Sequence, residues 1–333
     1  MSSKPLIAAI GCGGTISSVG QHATDVLDYP EFGSKLAIEE VIGRVAEVAA
    51  VAEVMPVAFR SVGSTAIGPP EWLELAATIH RLAAEHPEIS GFVVPHGTAT
   101  LEETAYFLHL VLKTDKSVVL VGAQRPVSAL GTDAGMNLLG AVRVAIDPAA
   151  RGLGVLVTLN DEIQSAREAT KTSTYRLQTF RSSDFGALGH IDGDGVQIYR
   201  RPTRRHAPDT EFEVSQIGTS PRIDIAYSYG GADGTVVDAL VAAGARGIVS
   251  AGLAPGIPAP LERKALERAA KAGLVIVQAS RAGSGRVAPR RYLRESGMVA
   301  ADNLNPQKAR ILLMLALTRT AEISNIQRIF ATY

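Results

Sequence analysis

Short, continuous apolar runs alternate with stretches of helical periodicity through the first half of the chain. Such runs are typical of strands that are buried on both faces of a parallel sheet. Strands that alternate with helices predict a parallel sheet with right-handed crossovers, so the predicted fold class is α/β. The predicted strands here are 6–10, 51–59, 91–95, 117–121 and 155–159, and the predicted helices are 36–50, 134–146 and two that open at residues 69 and 100.

The pattern changes to a period of two at 190–199, where Asp-Gly pairs predict a β-hairpin. Residues 201–222 are polar, contain prolines and show no period, which indicates a connection between domains. We therefore divide the chain into a larger N-terminal α/β domain (1–205), a linker (206–222) and a smaller C-terminal α/β domain (223–333). In the C-terminal domain the predicted strands are 223–226, 247–251 and 273–278, and the predicted helices are 235–243, 259–272 and 306–318.

One long segment interrupts the alternation. Residues 21–35 show no clear period and contain Pro30 and Gly33, which predicts a long mobile loop with Tyr29 inside it. Loops of this length inside compact domains often cover an active site.

Composition narrows the function classes. The 333 residues include 33 basic and 33 acidic side chains, so the formal net charge is zero. This balance shows no excess of positive charge that would indicate binding to nucleic acid or to an anionic membrane. The single cysteine, Cys12, excludes an intrachain disulfide and a cysteine-based zinc cage. No apolar run is long enough for a membrane span or a targeting segment, which leads us to expect a cytoplasmic protein.

A glycine-rich turn, 11–18, follows the first predicted strand. It lacks the third glycine of the dinucleotide-binding fingerprint, and no helical pattern follows it directly. Its glycines would let backbone N–H groups approach a ligand closely and leave Thr15 exposed beside them. This arrangement suits an oxyanion site next to a hydroxyl nucleophile.

A second junction, 96–105, follows the strand that ends at Pro95. Gly97 allows a tight turn, and Thr100 with Glu103 has the spacing of a capping box. Ligands of open α/β sheets bind at the carboxyl ends of the strands, so Thr98 and Thr100 would face a candidate site.

These junctions belong to a set of five motifs that resemble, in order and separation, the bacterial-type L-asparaginase/glutaminase family. The resemblance spans nearly the whole chain. It implies a two-domain, asparaginase-like amide hydrolase without metal or cofactor, a small-molecule amide as substrate, and catalytic groups mainly from the first domain. It also implies a homotetramer of close dimers in which the second domain of a neighbour completes each site. The motifs are 13–16 (GGTI), 96–105 (HGTATLEETA), 121–126 (VGAQRP), 169–172 (ATKT) and 304–310 (LNPQKAR).

The resemblance assigns a role to each candidate residue. Thr15 would be the nucleophile that forms an acyl-enzyme, and Tyr29 would take its proton. Thr98 and Lys171 would activate water or relay protons, while backbone N–H groups near Thr15 and Thr98 would hold the oxyanion. The backbone of Ala123 would lie beside the leaving group. The positions expected to bind substrate are Gly14, Ser64, Thr65, Gly97, Ala99 and Ala123.

The chain departs from the family where the substrate's α-ammonium would bind. Ala99 stands in place of an aspartate and Thr65 in place of a glutamine, and a glycine stands where the second domain would offer an asparagine. A charge-assisted hydrogen bond contributes about 1.5–3 kcal/mol, so these losses should weaken asparagine binding. The hypothesis is an amide substrate without a free α-amino group. Ser64 would keep one carboxylate or carbonyl contact, and Arg290 or Arg291 could add an anion contact.

The missing aspartate also changes the surroundings of Lys171. Without that carboxylate, a partly buried lysine would have a lower pKa and could serve as a general base. Three alternatives stay open: an asparaginase or glutaminase with altered selectivity, an inactive homologue that binds rather than catalyses, and an ester or lactam hydrolase that uses the same threonine.

Overall fold

The computed structural model describes residues 4–333; residues 1–3, part of the N-terminal stretch in which no targeting segment was predicted, lie outside it. The chain forms two compact units, Met1–Glu211 and Phe212–Tyr333. Along the described residues, 4–333, no helix combines the length and the apolarity that crossing a membrane requires.

Unit 1 contains an eight-stranded sheet with helices on its faces. The strands of this unit are β1 (Leu6–Gly13), β2 (Ser18–Val19), β3 (Ser34–Lys35), β4 (Glu53–Val62), β5 (Ile89–Pro95), β6 (Ser117–Val121), β7 (Val155–Leu159), β8 (Glu162–Ser165), β9 (Thr170–Lys171), β10 (Phe180–Arg181), β11 (Gly189–Asp192) and β12 (Gly195–Ile198). Its helices are α1 (Tyr29–Phe32), α2 (Ile38–Gly43), α3 (Val48–Val51), α4 (Pro69–Glu85), α5 (Leu101–Val111) and α6 (Ala134–Ile146).

The order of the large sheet is β12-β11-β8-β7-β6-β5-β1-β4. Strands β4, β1, β5, β6 and β7 are parallel, while β8, β11 and β12 join the sheet in antiparallel pairs. The predicted parallel sheet is therefore a mixed sheet, because the β7–β8 connection is a tight turn that reverses the chain. The predicted hairpin is confirmed as the β11–β12 pair.

The parallel strands bring the two junctions to one edge of the sheet. Strand β1 lies between β4 and β5, and its residues Ile7 and Ala8 are fully buried, as expected for a central strand. The register aligns Gly13 with Val62 of β4, and Pro95 of β5 with Val121 of β6. The loops that follow β1, β5 and β6 therefore start from the same edge.

The predicted loop 21–35 is partly structured. We call residues 20–33 the Tyr29 segment; it holds α1, and the antiparallel pair β2–β3 closes its base. The Leu130 N–H donates to Ala23 O over 2.7 Å, and the Gly20 N–H donates to Ser128 Oγ over 2.9 Å. The predicted helix 36–50 is in fact two short helices, α2 and α3, separated by a turn.

Unit 2 is a four-stranded parallel sheet with helices, in the order β13-β14-β15-β16. The three strands predicted here are confirmed, and a fourth was not predicted. The sequence interpretation also ended the last helix near residue 318, whereas a further helix follows it, with Ile326 and Ile329 fully buried. The elements are α7 (Val214–Ile217), β13 (Ile223–Tyr227), α8 (Thr235–Ala242), β14 (Gly247–Gly252), α9 (Pro260–Lys271), β15 (Val275–Ser280), α10 (Arg291–Glu295), β16 (Val299–Ala300), α11 (Pro306–Ala316) and α12 (Ile323–Thr332).

Several residues of the stretch 206–222 are buried rather than loosely exposed. In unit 1, Ala207 is buried and the Lys113 ammonium donates to Thr210 Oγ1 over 3.0 Å. In unit 2, the ring of Phe212 packs against that of Tyr333 with centroids 5.1 Å apart. The chain is therefore anchored on each side of the boundary at Glu211.

Candidate active site

Two glycines bring the loops after β1 and β5 into direct contact. Gly14 has a φ of +83°, and a Cβ atom built on it would lie 2.2 Å from Gly97 Cα. No L-amino-acid side chain fits such a gap, so the contact requires glycine. Gly14 precedes Thr15 and Gly97 precedes Thr98, so the two hydroxyl-bearing positions lie on adjoining loops.

Further hydrogen bonds hold the backbone of the first loop. The Gly14 N–H donates to Val62 O over 2.9 Å. The hydroxyls of Ser17 and Ser18 each donate to Gly14 O over 2.9 Å. A short 3₁₀ turn, Thr15–Ser17, then begins at the predicted nucleophile. Since the Gly14 N–H is already engaged, an oxyanion would need the N–H of another residue.

The structure brings Thr15 and Tyr29 together. Their hydroxyl oxygens, Thr15 Oγ1 and Tyr29 Oη, lie 2.8 Å apart, at hydrogen-bonding distance. Burial raises the pKa of the Tyr29 phenol, and the hydrogen bond to Thr15 opposes that shift. Tyr29 is therefore a neutral phenol at neutral pH, which can accept one proton while donating its own.

A carboxylate holds the Tyr29 backbone in place. Asp25 Oδ1 accepts hydrogen bonds from the N–H groups of Asp28 and Tyr29 over 3.0 and 3.1 Å, and Oδ2 accepts from Gln21 N–H over 3.0 Å. These backbone donors, that of Gln21 most of all, hold the pKa of Asp25 below its usual range. The sequence analysis did not identify Asp25, because its signal is a local turn rather than a motif.

A second cluster joins Thr98, Lys171 and Gln124. The Lys171 Nζ lies 2.6 Å from Thr98 Oγ1 and 3.0 Å from Gln124 Oε1, and Thr98 Oγ1 lies 3.1 Å from Gln124 Oε1. The sequence analysis placed Gln124 in a motif but gave it no role. Thr98 and Gln124 are buried and Lys171 is partly buried.

Burial lowers the pKa of the Lys171 ammonium, and the charge of Glu102 opposes that shift. Glu102, on α5, accepts a hydrogen bond from the Thr170 hydroxyl and lies 3.5 Å from the Lys171 backbone N. A lysine with a lowered pKa carries more of its neutral form near neutral pH and is a better proton acceptor.

The carboxylate of Asp133 holds the loop after β6, which carries Gln124 of the second cluster. Asp133 accepts hydrogen bonds from the backbone N–H groups of Gln124 and Arg125 over 2.9 and 3.0 Å, and from the Asn137 amide over 3.0 Å. Ala123 is fully buried within this loop. The loop that would face a leaving group is therefore fixed by one carboxylate.

A buried chain of side chains fixes the loop after β5. The Trp72 indole N–H donates to Thr104 Oγ1 over 2.9 Å, Thr104 Oγ1 lies 3.1 Å from His96 Nε2, and His96 Nδ1 lies 2.8 Å from Gly97 O. A carbonyl oxygen only accepts, so Nδ1 carries the proton and Nε2 accepts from Thr104. Burial lowers the pKa of His96 to about 4.

The other predicted binding positions differ in exposure. Ser64 is buried and packs on Gly97, since a Cβ built on Gly97 would lie 2.8 Å from Ser64 Cβ. Thr65 and Ala99 are exposed. Thr100 is the N-cap residue of α5, as predicted, but its side chain makes no capping hydrogen bond and instead donates to Ser64 O over 2.7 Å. The hydroxyl thus joins two loops of the site.

Both arginines named as possible anion contacts have partners inside unit 2. Arg290 Nη2 donates to Gly256 O over 2.9 Å, and Arg291 pairs with Glu295 over 2.6 Å. The part of the chain that the structure describes, 4–333, contains no group of three or more His, Cys, Asp or Glu residues that could hold a metal ion.

Comparison with known proteins identifies the class of enzyme and the protein family of the chain. Residues 6–204 match the family model Asparaginase, N-terminal, and residues 222–330 match the Glutaminase/Asparaginase C-terminal domain. The matches define an enzyme that hydrolyses the carbon–nitrogen bond of amides. The chain belongs to the asparaginase/glutaminase family, as its motifs indicated.

Individual relatives cover nearly the whole chain. L-asparaginase 2 of Bacillus subtilis is 42% identical over 329 residues, which are 99% of this chain and 87% of that protein. A protein of Haemophilus influenzae named as a probable periplasmic L-asparaginase is 40% identical over 331 residues, 99% of this chain and 93% of that one. The structure of a probable cytoplasmic L-asparaginase from Campylobacter jejuni superposes with a TM-score of 0.94 at 38% identity, over 100% of both chains.

Proposed function

We propose that this amidohydrolase uses Thr15 as its nucleophile and works through an acyl-enzyme. The observation that carries the proposal is the 2.8 Å contact between Thr15 Oγ1 and Tyr29 Oη at the glycine junction after β1. A hydroxyl nucleophile needs a group that removes its proton during attack, and this contact provides one.

In the first step, Thr15 Oγ attacks the amide carbonyl carbon. Tyr29 takes the hydroxyl proton and donates its own to the amide nitrogen, so that the C–N bond breaks and ammonia leaves. The raised pKa of Tyr29 favours such a relay over a free phenolate. The oxyanion is held by backbone N–H groups near Thr15 and Thr98, with that of Gly14 excluded by its bond to Val62.

In the second step, water attacks the ester carbon. Its proton passes to Lys171 through the Thr98 hydroxyl, which lies 2.6 Å from Lys171 Nζ. The ester C–O bond then breaks, Thr15 recovers a proton and a carboxylic acid leaves. The lowered pKa of Lys171 supports its role as the acceptor.

The substrate we propose is an amide without a free α-amino group. Ala99 and Thr65 are exposed and neutral, so neither position offers a charge to an ammonium group. Binding an ammonium without a charged or hydrogen-bonding partner costs the desolvation of that group. Ser64, beside Gly97, remains available for a neutral or anionic part of the substrate.

The test compares ammonia release from L-asparagine, L-glutamine, succinamic acid and N-acylated amides. We expect faster turnover of the amine-free compounds, with activity abolished in Thr15→Ala. Thr219→Ala is the matched control, because Thr219 is exposed in unit 2 and lies outside the five motifs. Preserved turnover in Thr15→Ala would rule out Thr15 as the nucleophile.

A double variant tests the substrate class directly. Ala99→Asp with Thr65→Gln should raise kcat/KM for L-asparagine relative to succinamic acid by about 10- to 100-fold, the effect of restoring charge-assisted contacts. If L-asparagine is already the best substrate of the unaltered protein, the reading as an asparaginase with altered selectivity is correct instead.

The remaining alternatives give different results in the same assay. An inactive binding homologue would release no ammonia from any compound and would bind amides equally well with or without Thr15. A lactam or ester hydrolase would act on ring or ester analogues while it leaves the open amides intact. Both would keep the fold and lose the proposed reaction.

We also propose that the protein acts in the cytoplasm. Support comes from the relative named as cytoplasmic, whereas the Haemophilus influenzae relative is named as periplasmic. Cell fractionation with an antibody against the full chain distinguishes the two compartments.

A further inference from the structure

The side-chain amide of Gln124 has one orientation. Its Nε2 lies 3.0 Å from Arg176 O and 3.4 Å from Thr174 O. Carbonyl oxygens only accept hydrogen bonds, so the NH₂ group must face them. The amide oxygen therefore points to Thr98 and Lys171, which lie 3.1 and 3.0 Å away.

We propose that Gln124 is a positioning residue for proton transfer between Thr98 and Lys171, with its amide oxygen as a fixed acceptor throughout the transfer. The inference rests on the proposed function, because it concerns the same cluster.

Two hydrogen-bond arrangements fit the same three positions. When Lys171 is an ammonium, it donates to Thr98 Oγ1 and to Gln124 Oε1, and Thr98 donates its own proton to Gln124. When Lys171 is neutral, its lone pair accepts the Thr98 proton while a remaining N–H still donates to Gln124. The amide oxygen accepts in both cases, so the proton can move without rearrangement of heavy atoms.

The neutrality of this acceptor is part of the argument. Lys171 feels the charge of Glu102, which lies on the α5 side. Its Nζ contacts an uncharged amide rather than a second carboxylate. A carboxylate at position 124 would stabilise the ammonium form and oppose proton uptake.

The side chain and backbone of Gln124 are held separately. Asp133 holds the backbone N–H over 2.9 Å, while the carbonyls of Thr174 and Arg176 hold the amide. Substitution of the side chain therefore leaves the contact to Asp133 in place, and variants at this position should keep the loop.

The experiment uses two variants of the full chain. Gln124→Glu keeps the shape and adds a charge, whereas Gln124→Met keeps the length and removes the acceptor. Gln178→Glu is the matched control. Gln178 is exposed, and the substitution adds the same charge two residues before β10. The readout is acetylation of the Lys171 amine by acetic anhydride as a function of pH, followed by peptide mass spectrometry, together with kcat and KM profiles.

In Gln124→Glu, the acetylation profile of Lys171 should move to higher pH by about one unit or more, and the rise of kcat with pH should move with it. In Gln124→Met, kcat should fall about tenfold with KM little changed, since an oriented hydrogen bond is lost. Gln178→Glu should match the unaltered protein in both readouts.

Acetylation of Lys171 needs no substrate, so the role of Gln124 and the threonine mechanism can be contradicted independently of each other. An unshifted Lys171 profile in Gln124→Glu, or an unchanged kcat in Gln124→Met, would overturn the role of Gln124 even if Thr15→Ala is inactive. Active Thr15→Ala with a shifted Lys171 profile would overturn the threonine mechanism and leave the contact of Gln124 with Lys171 standing.

Discussion

At Thr15 the hydroxyl is paired with a phenol rather than with an imidazole or a carboxylate. In the proposed mechanism, a phenol with a raised pKa cannot store the proton of Thr15 at neutral pH, so it would pass a proton on as it receives one. The geometry of the hydrogen bond between Thr15 and Tyr29 therefore matters more to the proposed relay than the basicity of the phenol.

Replacing Tyr29 should affect the chemical step and leave the fold intact. Tyr29→Phe should lower kcat/KM by about 10²- to 10⁴-fold, the usual contribution of a positioned proton-transfer group. Steady-state kinetics with the best amine-free amide measures the loss. Tyr175→Phe is the control, since Tyr175 is 67% exposed. Equal losses in both variants would contradict the assignment.

A buried imidazole predicts a pH dependence of stability. The pKa of His96 is about 4 in the folded protein, below the ordinary value of 6.5, so between these values the unfolded chain binds a proton that the folded one does not. Protonation of His96 therefore does not reduce the free energy of unfolding above about pH 6.5, and it lowers that free energy by about 3 kcal/mol as the pH falls to about 4.

Denaturant unfolding at several pH values measures how the free energy of unfolding changes with pH. This pH dependence should be reduced in His96→Gln and unchanged in His190→Gln, because His190 is exposed. A slope that survives the loss of His96 would assign the effect to another group.

Sequence patterns pointed to some residues of the site and not to others. Thr15 follows glycines that a close approach requires, and Thr98 lies just after a buried strand, so both carry local signals. Gln124 lies in a motif, but nothing in the motif indicates its role: its partner Lys171 lies 47 positions away along the chain, and only the fold brings the two together.

At the level of elements, the contact of Gly14 with Gly97 joins the loops after two neighbouring strands. A Cβ atom on Gly14 would meet backbone atoms of Gly97 and His96, which cannot move aside as a flexible side chain can. Through this contact Thr15 and Thr98, which lie far apart in the chain, are carried by adjoining loops.

Gly14→Ala should therefore damage both site and stability. A Cβ atom 2.2 Å from Gly97 Cα, at a φ of +83°, forces backbone movement. We expect a loss of about 1–3 kcal/mol of unfolding free energy and at least a tenfold drop in kcat/KM. Gly43→Ala is the control, because a Cβ there meets nothing within 4 Å. Unchanged activity in Gly14→Ala would disprove the tight contact.

The elements that were predicted well from the sequence are those whose hydrophobic pattern extends over several residues. The apolar strands and the hairpin at 189–198 were found because their period extends over several residues. Strands β2 and β3 have two residues each, and α1 has four, which is too short for any period. Helix α12 was missed although its apolar residues, Ile323, Ile326 and Ile329, repeat at helical spacing.

At the scale of the whole molecule, both units expose large apolar side chains. Leu27, Phe32 and Leu130 in unit 1 are 63%, 68% and 78% exposed, and Tyr227 and Leu261 in unit 2 are 60% and 57% exposed. Exposed apolar groups of this kind, where they form patches, mark interaction surfaces. A net charge of zero offers little electrostatic repulsion between copies.

We therefore predict self-association, and the expectation that the family resemblance implies is a homotetramer. Light scattering coupled to size-exclusion chromatography should give four times the mass of one chain. If a neighbour completes each site, dilution below the dissociation constant should lower specific activity in parallel with the mass. A fully active monomer would exclude a shared site.

The buried position of Cys12 makes the protein convenient to label. Its side chain is fully buried in β1, and desolvation raises the pKa of the thiol, so the reactive thiolate is scarce. Since the chain has no other cysteine, maleimide dyes should leave the folded protein unmodified. A cysteine introduced at exposed Leu27 would then take up a single fluorophore, and its emission would report directly on the Tyr29 segment as an amide binds.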